Sequence, residues 1–241
     1  MKGFRLVLLA GMVAAAGCSA QQRGGVRAGD RPAQRDKVAD AHFARIPPAL
    51  LGGVEDVREE IRELRDDRIR AEHELSVSEQ ASQVATARVE ASQARENVAK
   101  EALELATKTG ERERIEQAQS TLELRTAERE LSEANREVAR RREGRSKAEL
   151  DAAKGRVAAA EARLEQAKYD ALVASDDAAA DFYEPASFRK RIEQAQHQVQ
   201  RRELDLQKAE KTLQQSISRA RDLEEKLERL PVRGEDDSFE E

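Results

Sequence analysis

Tryptophan is absent, and phenylalanine and tyrosine together make up only 3% of the residues. A chain so poor in bulky rings cannot fill the wide core of a compact domain of this length, so it must bury a thin seam. It has a single cysteine, Cys18, near the N-terminus, which leaves no partner for a disulfide within the chain. The three histidines, His42, His73 and His197, are isolated in sequence. His73 precedes Glu74, but an HExxH zinc motif would need a second histidine where Val77 stands. All three histidines therefore read as solvent-facing helix positions. There is no phosphate-binding glycine loop and no GxSxG elbow. No catalytic residue, metal ligand or cofactor-binding residue is assigned, and the chain is expected not to be an enzyme. The net charge of −5 gives no support to nucleic-acid binding.

What the chain has in abundance is charge. Asp, Glu, Lys and Arg supply 38% of it, and Ala, Leu and Gln supply much of the rest. On a helix, acids and bases three or four apart form a solvated, mutually paired surface. This composition with a heptad period marks long helices that pack as coiled coils. The expected fold class is all-α: elongated antiparallel coiled-coil helices, about three of them, after a disordered tether.

Heptads begin at Val54 and delimit a helical region over residues 54–230. Val54, Ile61, Leu75, Val89 and Leu103 share one phase, and Val57, Leu64, Ala71, Ala85, Ala99 and Ala106 the second. Arg68, Ser78, Ser82, Ser92 and Glu96 complete this seam, which predicts a helix over 54–107. Gly110 marks a break, because a hairpin lets the seam bury itself within one chain. A second helix is expected over 111–180, carrying Leu122, Leu124, Leu131, Val138, Leu150, Val157, Leu164 and Leu172. Its seam changes phase between Val138 and Leu150, the pattern of a stutter. Glu184-Pro185 is the clearest reversal, since proline excludes the α conformation before it and suits the first turn after it. Phe182, Tyr183 and Phe188 crowd this corner as packing for the turn. A third helix over 185–230 has the cleanest seam: Ile192, Val199, Leu206, Leu213, Ala220 and Leu227, with Ala195, Ala209, Leu223 and Leu230. Arg-Ile-Glu-Gln-Ala-Gln occurs at 114–119 and again at 191–196, spaced by whole heptads, which is read as a repeated seam unit. The cluster Arg140, Arg141, Arg142, Arg145 and Lys147 reads as charged helix surface. Residues 231–241 form an acidic tail.

The N-terminus has a different character. Lys2 and Arg5 precede an uncharged apolar stretch, Leu6 to Ala16, and Ala15-Ala16-Gly17 places small residues just before Cys18. A secretory signal has this order, and the stretch is shorter than the roughly 20 residues of a membrane-spanning helix. Residues 1–17 resemble the type II signal peptide of bacterial lipoproteins, except that Ala15 stands where that family usually has leucine. The resemblance implies cleavage before Cys18, acylation of Cys18 and membrane attachment through the acyl chains. In that family a residue other than Asp after the cysteine, here Ser19, favours the outer membrane, with the body facing the periplasm. Removing Lys2 and Arg5 from the 43 basic residues leaves 41 bases against 48 acids. Residues 18–53 hold several Gly and Pro residues without periodicity and read as a tether. Within it, Ile46-Pro47-Pro48-Ala49-Leu50-Leu51 reads as a hydrophobic staple for the first helix.

The reading that follows is a membrane-anchored structural or scaffolding lipoprotein that projects a coiled-coil rod into the cell envelope. Its expected partners are the membrane, a protein that meets the coiled-coil faces and, more weakly, peptidoglycan. In being lipidated, Ala-rich and helical it is loosely similar to the murein lipoprotein, but it ends Phe239-Glu240-Glu241 without that family's C-terminal lysine. The alternative is an accessory coiled-coil subunit of an export, efflux or cell-wall machine.

Overall fold

The computed structural model describes residues 37–230. The expected leader, Cys18 and the acidic tail lie outside them. Among the described residues four α-helices follow in order: α1 (Asp40–Phe43), α2 (Gly52–Thr109), α3 (Arg112–Ala174) and α4 (Pro185–Glu228). Single 3₁₀ turns cover Pro48–Leu50 and Ala178–Phe182, and no strand occurs in this part of the chain. At 1.5 Å per residue, the 58 residues of α2 extend about 87 Å.

The long helices are antiparallel neighbours in sequence order. α2 ends on Gly110, whose φ of 73° lies in the left-handed region that glycine enters without a steric penalty. The chain reverses there, and α3 returns along α2. Cross-helix ion pairs mark the register: Arg129–Glu96 at 2.6 Å, Arg65–Glu161 at 3.0 Å and Arg163–Glu60 at 2.6 Å. α4 then runs back along another side of α3, with Lys226–Glu130 at 3.7 Å and Arg156–Glu203 at 3.0 Å. α3 packs extensively on both partners, whereas α2 and α4 scarcely touch.

The expected α2 seam is the buried one. Val54, Ile61, Ala71, Ser78, Val89, Ser92, Glu96 and Ala99 are its buried residues. α3 differs from the expectation because it buries two faces. Alanines the heptad pattern did not single out, Ala152, Ala160 and Ala162, are almost fully enclosed. The phase change has the same cause. Val138 packs with Ala220 of α4, whereas Leu150 packs with Ala71 of α2.

Two boundaries depart from expectation. The second helix ends at Ala174, before Ala180. Asp176 adopts a positive φ of 55°, and the Asp177 side chain accepts the Ala179 N–H at 2.8 Å, which favours the 3₁₀ turn. The described part of the expected tether, 37–53, is folded onto α3 and α4. Ile46 and Leu51 pack with Val54 as the staple requires.

Candidate functional site: the corner that holds the N-terminal segment

Every phenylalanine and tyrosine of the described residues lies in one corner. Here the end of α3, the start of α4 and the segment before α2 meet. Phe188 and Leu172 are fully enclosed, with Val38, Ile46, Val54, Ala171 and Tyr183 around them. Tyr169 stacks on Phe188 with ring centres 5.2 Å apart, and Tyr183 leans on Phe188 at 6.2 Å. Phe182, expected to pack, is instead 56% exposed and carries His42 stacked on its ring at 5.9 Å.

Three polar contacts hold the incoming chain. Glu165 accepts the Val38 N–H through Oε2 at 2.8 Å and the Lys168 ammonium through Oε1 at 2.9 Å. The Tyr183 hydroxyl oxygen accepts the Ala39 N–H at 2.9 Å. The same hydroxyl pairs with His42 Nδ1 at 2.9 Å. Arg58 and Lys168 lie over the Phe43 ring, 5.2 and 5.7 Å from its centre, within cation–π range. A buried backbone N–H without an acceptor would carry its full desolvation cost. Glu165 and Tyr183 supply those acceptors from 127 and 144 residues away in sequence, so chain direction and register are fixed at Val38 and Ala39.

Cys18, the residue expected to be lipidated, lies outside the described residues. His73 and His197 are exposed, as expected of helix surface. His42 is not a solvent-facing helix position: it is half-buried against Tyr183 and Phe182. Arg140, Arg141, Arg142 and Lys147 are exposed, but Arg145 is an inner joint. It pairs with Glu149 at 2.7 Å and Glu74 at 3.4 Å, and lies 3.9 Å from Glu210, so one guanidinium joins α2, α3 and α4. Burial pushes the Glu149 carboxyl upward, Glu74 and Glu210 add to this, and Arg145 opposes it.

A second buried charge lies toward the hairpin tip. Glu96 on α2 receives Lys100 at 2.9 Å and Arg129 of α3 at 2.6 Å. The Lys100 hydrogen bond, helped by the positive charge of Arg129, holds Glu96 below the usual carboxylate range although burial opposes it. This is register chemistry between helices, since the Glu96 carboxylate is satisfied by its neighbours. Among the described residues no group of three or more His, Cys, Asp or Glu is placed to hold a metal ion, and no helix is long and apolar enough to cross a membrane. What the corner does is hold the segment from Val38 to Ile46 against the ends of α3 and α4. No protein-family model, curated protein or solved structure matches this chain.

Proposed function

We propose that the chain is a lipid-anchored scaffolding protein of a bacterial envelope. The observation that carries this reading is the leader: a charged start, a short apolar stretch, small residues, and the chain's one cysteine at the junction. Two or more acyl chains on Cys18 would hold a protein stably on a membrane, where one would not. The outer membrane, with the body facing the periplasm, is the proposed location. The helices supply length and charged surface. They would present those faces to a protein partner, and more weakly to peptidoglycan, without catalysis or a cofactor.

The clamp at Val38 and Ala39 supports the reading. A tether that carries load from an anchor to a helical rod needs a fixed point of attachment, and backbone hydrogen bonds to Glu165 and Tyr183 provide one. Residues 19–37 would then set the greatest reach from the anchor, on the order of 60 Å for a fully extended chain.

The test is mass spectrometry of the mature N-terminus together with membrane fractionation. The expected result is an acylated Cys18 as first residue, and release from the membrane for Cys18→Ser. A mature chain starting elsewhere with an unmodified cysteine would overturn the reading.

One observation favours the second reading, an accessory subunit of an export or cell-wall machine. α4 stops near Glu130 of α3, and beyond it α2 and α3 continue to the Gly110 turn with no third helix beside them among the described residues. Such a helical hairpin tip would suit docking on a larger assembly. Crosslinking in membranes that recovers a channel protein through the tip, and through no other region, would favour it.

A further inference from the structure

α4 carries most of its apolar residues on one face, with Leu204 outside it. α2 and α3 are only weakly amphipathic along their length, because each bears apolar residues on more than one face. For α3 both faces are covered, by α2 and by α4. For α2 one face is covered and, among the described residues, the other is not.

The uncovered face is a heptad stripe. Val77, Val84, Val98 and Leu105 are 51, 52, 65 and 63% exposed. They fall at intervals of seven or fourteen residues, with exposed Ala91 completing the row. The positions three residues on are Gln80, Ala87, Ala94 and Glu101, all exposed. On a helix these two rows lie almost opposite the Val89/Ser92 seam that faces α3. Over the same stretch that covered seam holds three serines and a glutamate, with only Val89 and Leu103 as large apolar residues. The exposed face is therefore the more apolar of the two. An unbroken seven-residue repeat is also what a supercoiled helix partner requires, and a merely solvated face does not.

The charges beside the stripe select the partner. Glu90 lies on one flank, and Arg88 and Arg95 lie on the other, where they also border the groove that α2 forms with α3 and Leu227 of α4; all three are exposed and without an ion pair among the described residues. In a parallel pair of identical helices, Glu90 of each copy meets Arg95 of the other, twice by symmetry. In an antiparallel pair centred on Ala91, Arg88 would meet Arg95 and Glu90 would meet Glu90, like against like.

We propose that α2 pairs in parallel with α2 of a second copy of this chain along Val77–Leu105, about 42 Å of helix. The pairing rests on the α2 surface alone and does not depend on lipidation.

The full chain, purified in detergent, tests this by cysteine crosslinking under mild oxidation, with the wild-type chain as the control for Cys18. Val84→Cys and Val98→Cys should each give a covalent dimer well above wild type. Leu204→Cys, comparably exposed but on α4, should not. Mixing Val77→Cys with Leu105→Cys should give no mixed dimer, and a mixed dimer would mean an antiparallel pair and overturn the proposal. By sedimentation, Val98→Asp should weaken the dimer roughly a hundredfold, while melts taken dilute enough for both proteins to be monomeric should coincide, because the residue is exposed in the single chain. Glu90→Arg should weaken it roughly tenfold, and adding Arg95→Glu should restore it. A monomeric wild-type chain, or a dimer indifferent to Glu90→Arg and Val98→Asp, would overturn the proposal.

Discussion

At the scale of single residues, three buried or half-buried groups set measurable expectations. Glu96 is held below the usual carboxylate range, so its pairing stabilises the fold fully above the unfolded value, about pH 4.3, and is lost as pH falls through the lower folded value. Glu96→Gln should lower the melting temperature at pH 7, and the gap to wild type should close in more acidic buffer. Glu149 behaves in the opposite sense. Its folded value is raised, so the cost of its charge is fully present above that value and is relieved as pH falls toward the unfolded one. Glu149→Gln should therefore melt higher than wild type at pH 7 and lose that advantage below about pH 4. Thermal melts across this range check both signs. Gly155 is the third case. A Cβ there would lie 3.1 Å from Cδ and Nη1 of Arg202, whose guanidinium crosses the helix to donate to the Asp151 carbonyl at 2.9 Å. Gly155→Leu should cost about 1–3 kcal/mol in a denaturant titration, since the added side chain must displace Arg202 from α3.

At the scale of elements, the heptads made most of the architecture legible. An apolar repeat of seven can be satisfied only by burial against another helix, so the Val54 phase announced α2 and the Ile192 phase announced α4. Gly110 and Pro185 announced the reversals, because each restricts or frees the backbone in a known way. α3 was harder to read. A central helix buries two faces, and the second is built from Ala152, Ala160 and Ala162, which look the same in sequence whether buried or exposed. Its change of phase at Val138–Leu150 was a change of partner. The clamp was not legible, since it joins Val38 and Ala39 to Glu165 and Tyr183 across distant stretches of chain without any periodic signal. The seam reading also separates two substitutions. Leu213 packs with Ala134, Val138 and Ala220, so Leu213→Asp should cost about 2–4 kcal/mol by placing a carboxylate in the α3–α4 contact. Arg141 is exposed and among the described residues pairs only with Glu137 one turn away, so Arg141→Asp should stay within about 0.5 kcal/mol. Equal losses in paired melts would mean that the α3–α4 seam is misplaced.

At the scale of the molecule, the described chain divides into a helical body held by many weak contacts and an N-terminal segment held by few strong ones. The body spreads its stability along two seams, so that no single pair carries it. The segment depends on Glu165 and Tyr183, because the Val38 and Ala39 N–H groups have no other acceptor among the described residues. Tyr183→Phe keeps the ring against Phe188 and removes only the hydroxyl, which strips an acceptor from Ala39 and a partner from His42. The ring packing is preserved, so the global stability should fall by no more than about 1–2 kcal/mol. The segment itself should open far more often. Amide exchange at Ala39 should accelerate by about tenfold or more, and limited proteolysis should cut near Arg45 sooner than in wild type. Exchange within α2 and α3 at Val89 and Leu150 should stay as slow as before. Acceleration spread evenly over all these sites would mean that the corner stabilises the whole body. Acceleration confined to residues 38–46 would locate the clamp and show that this segment opens independently of the helical body.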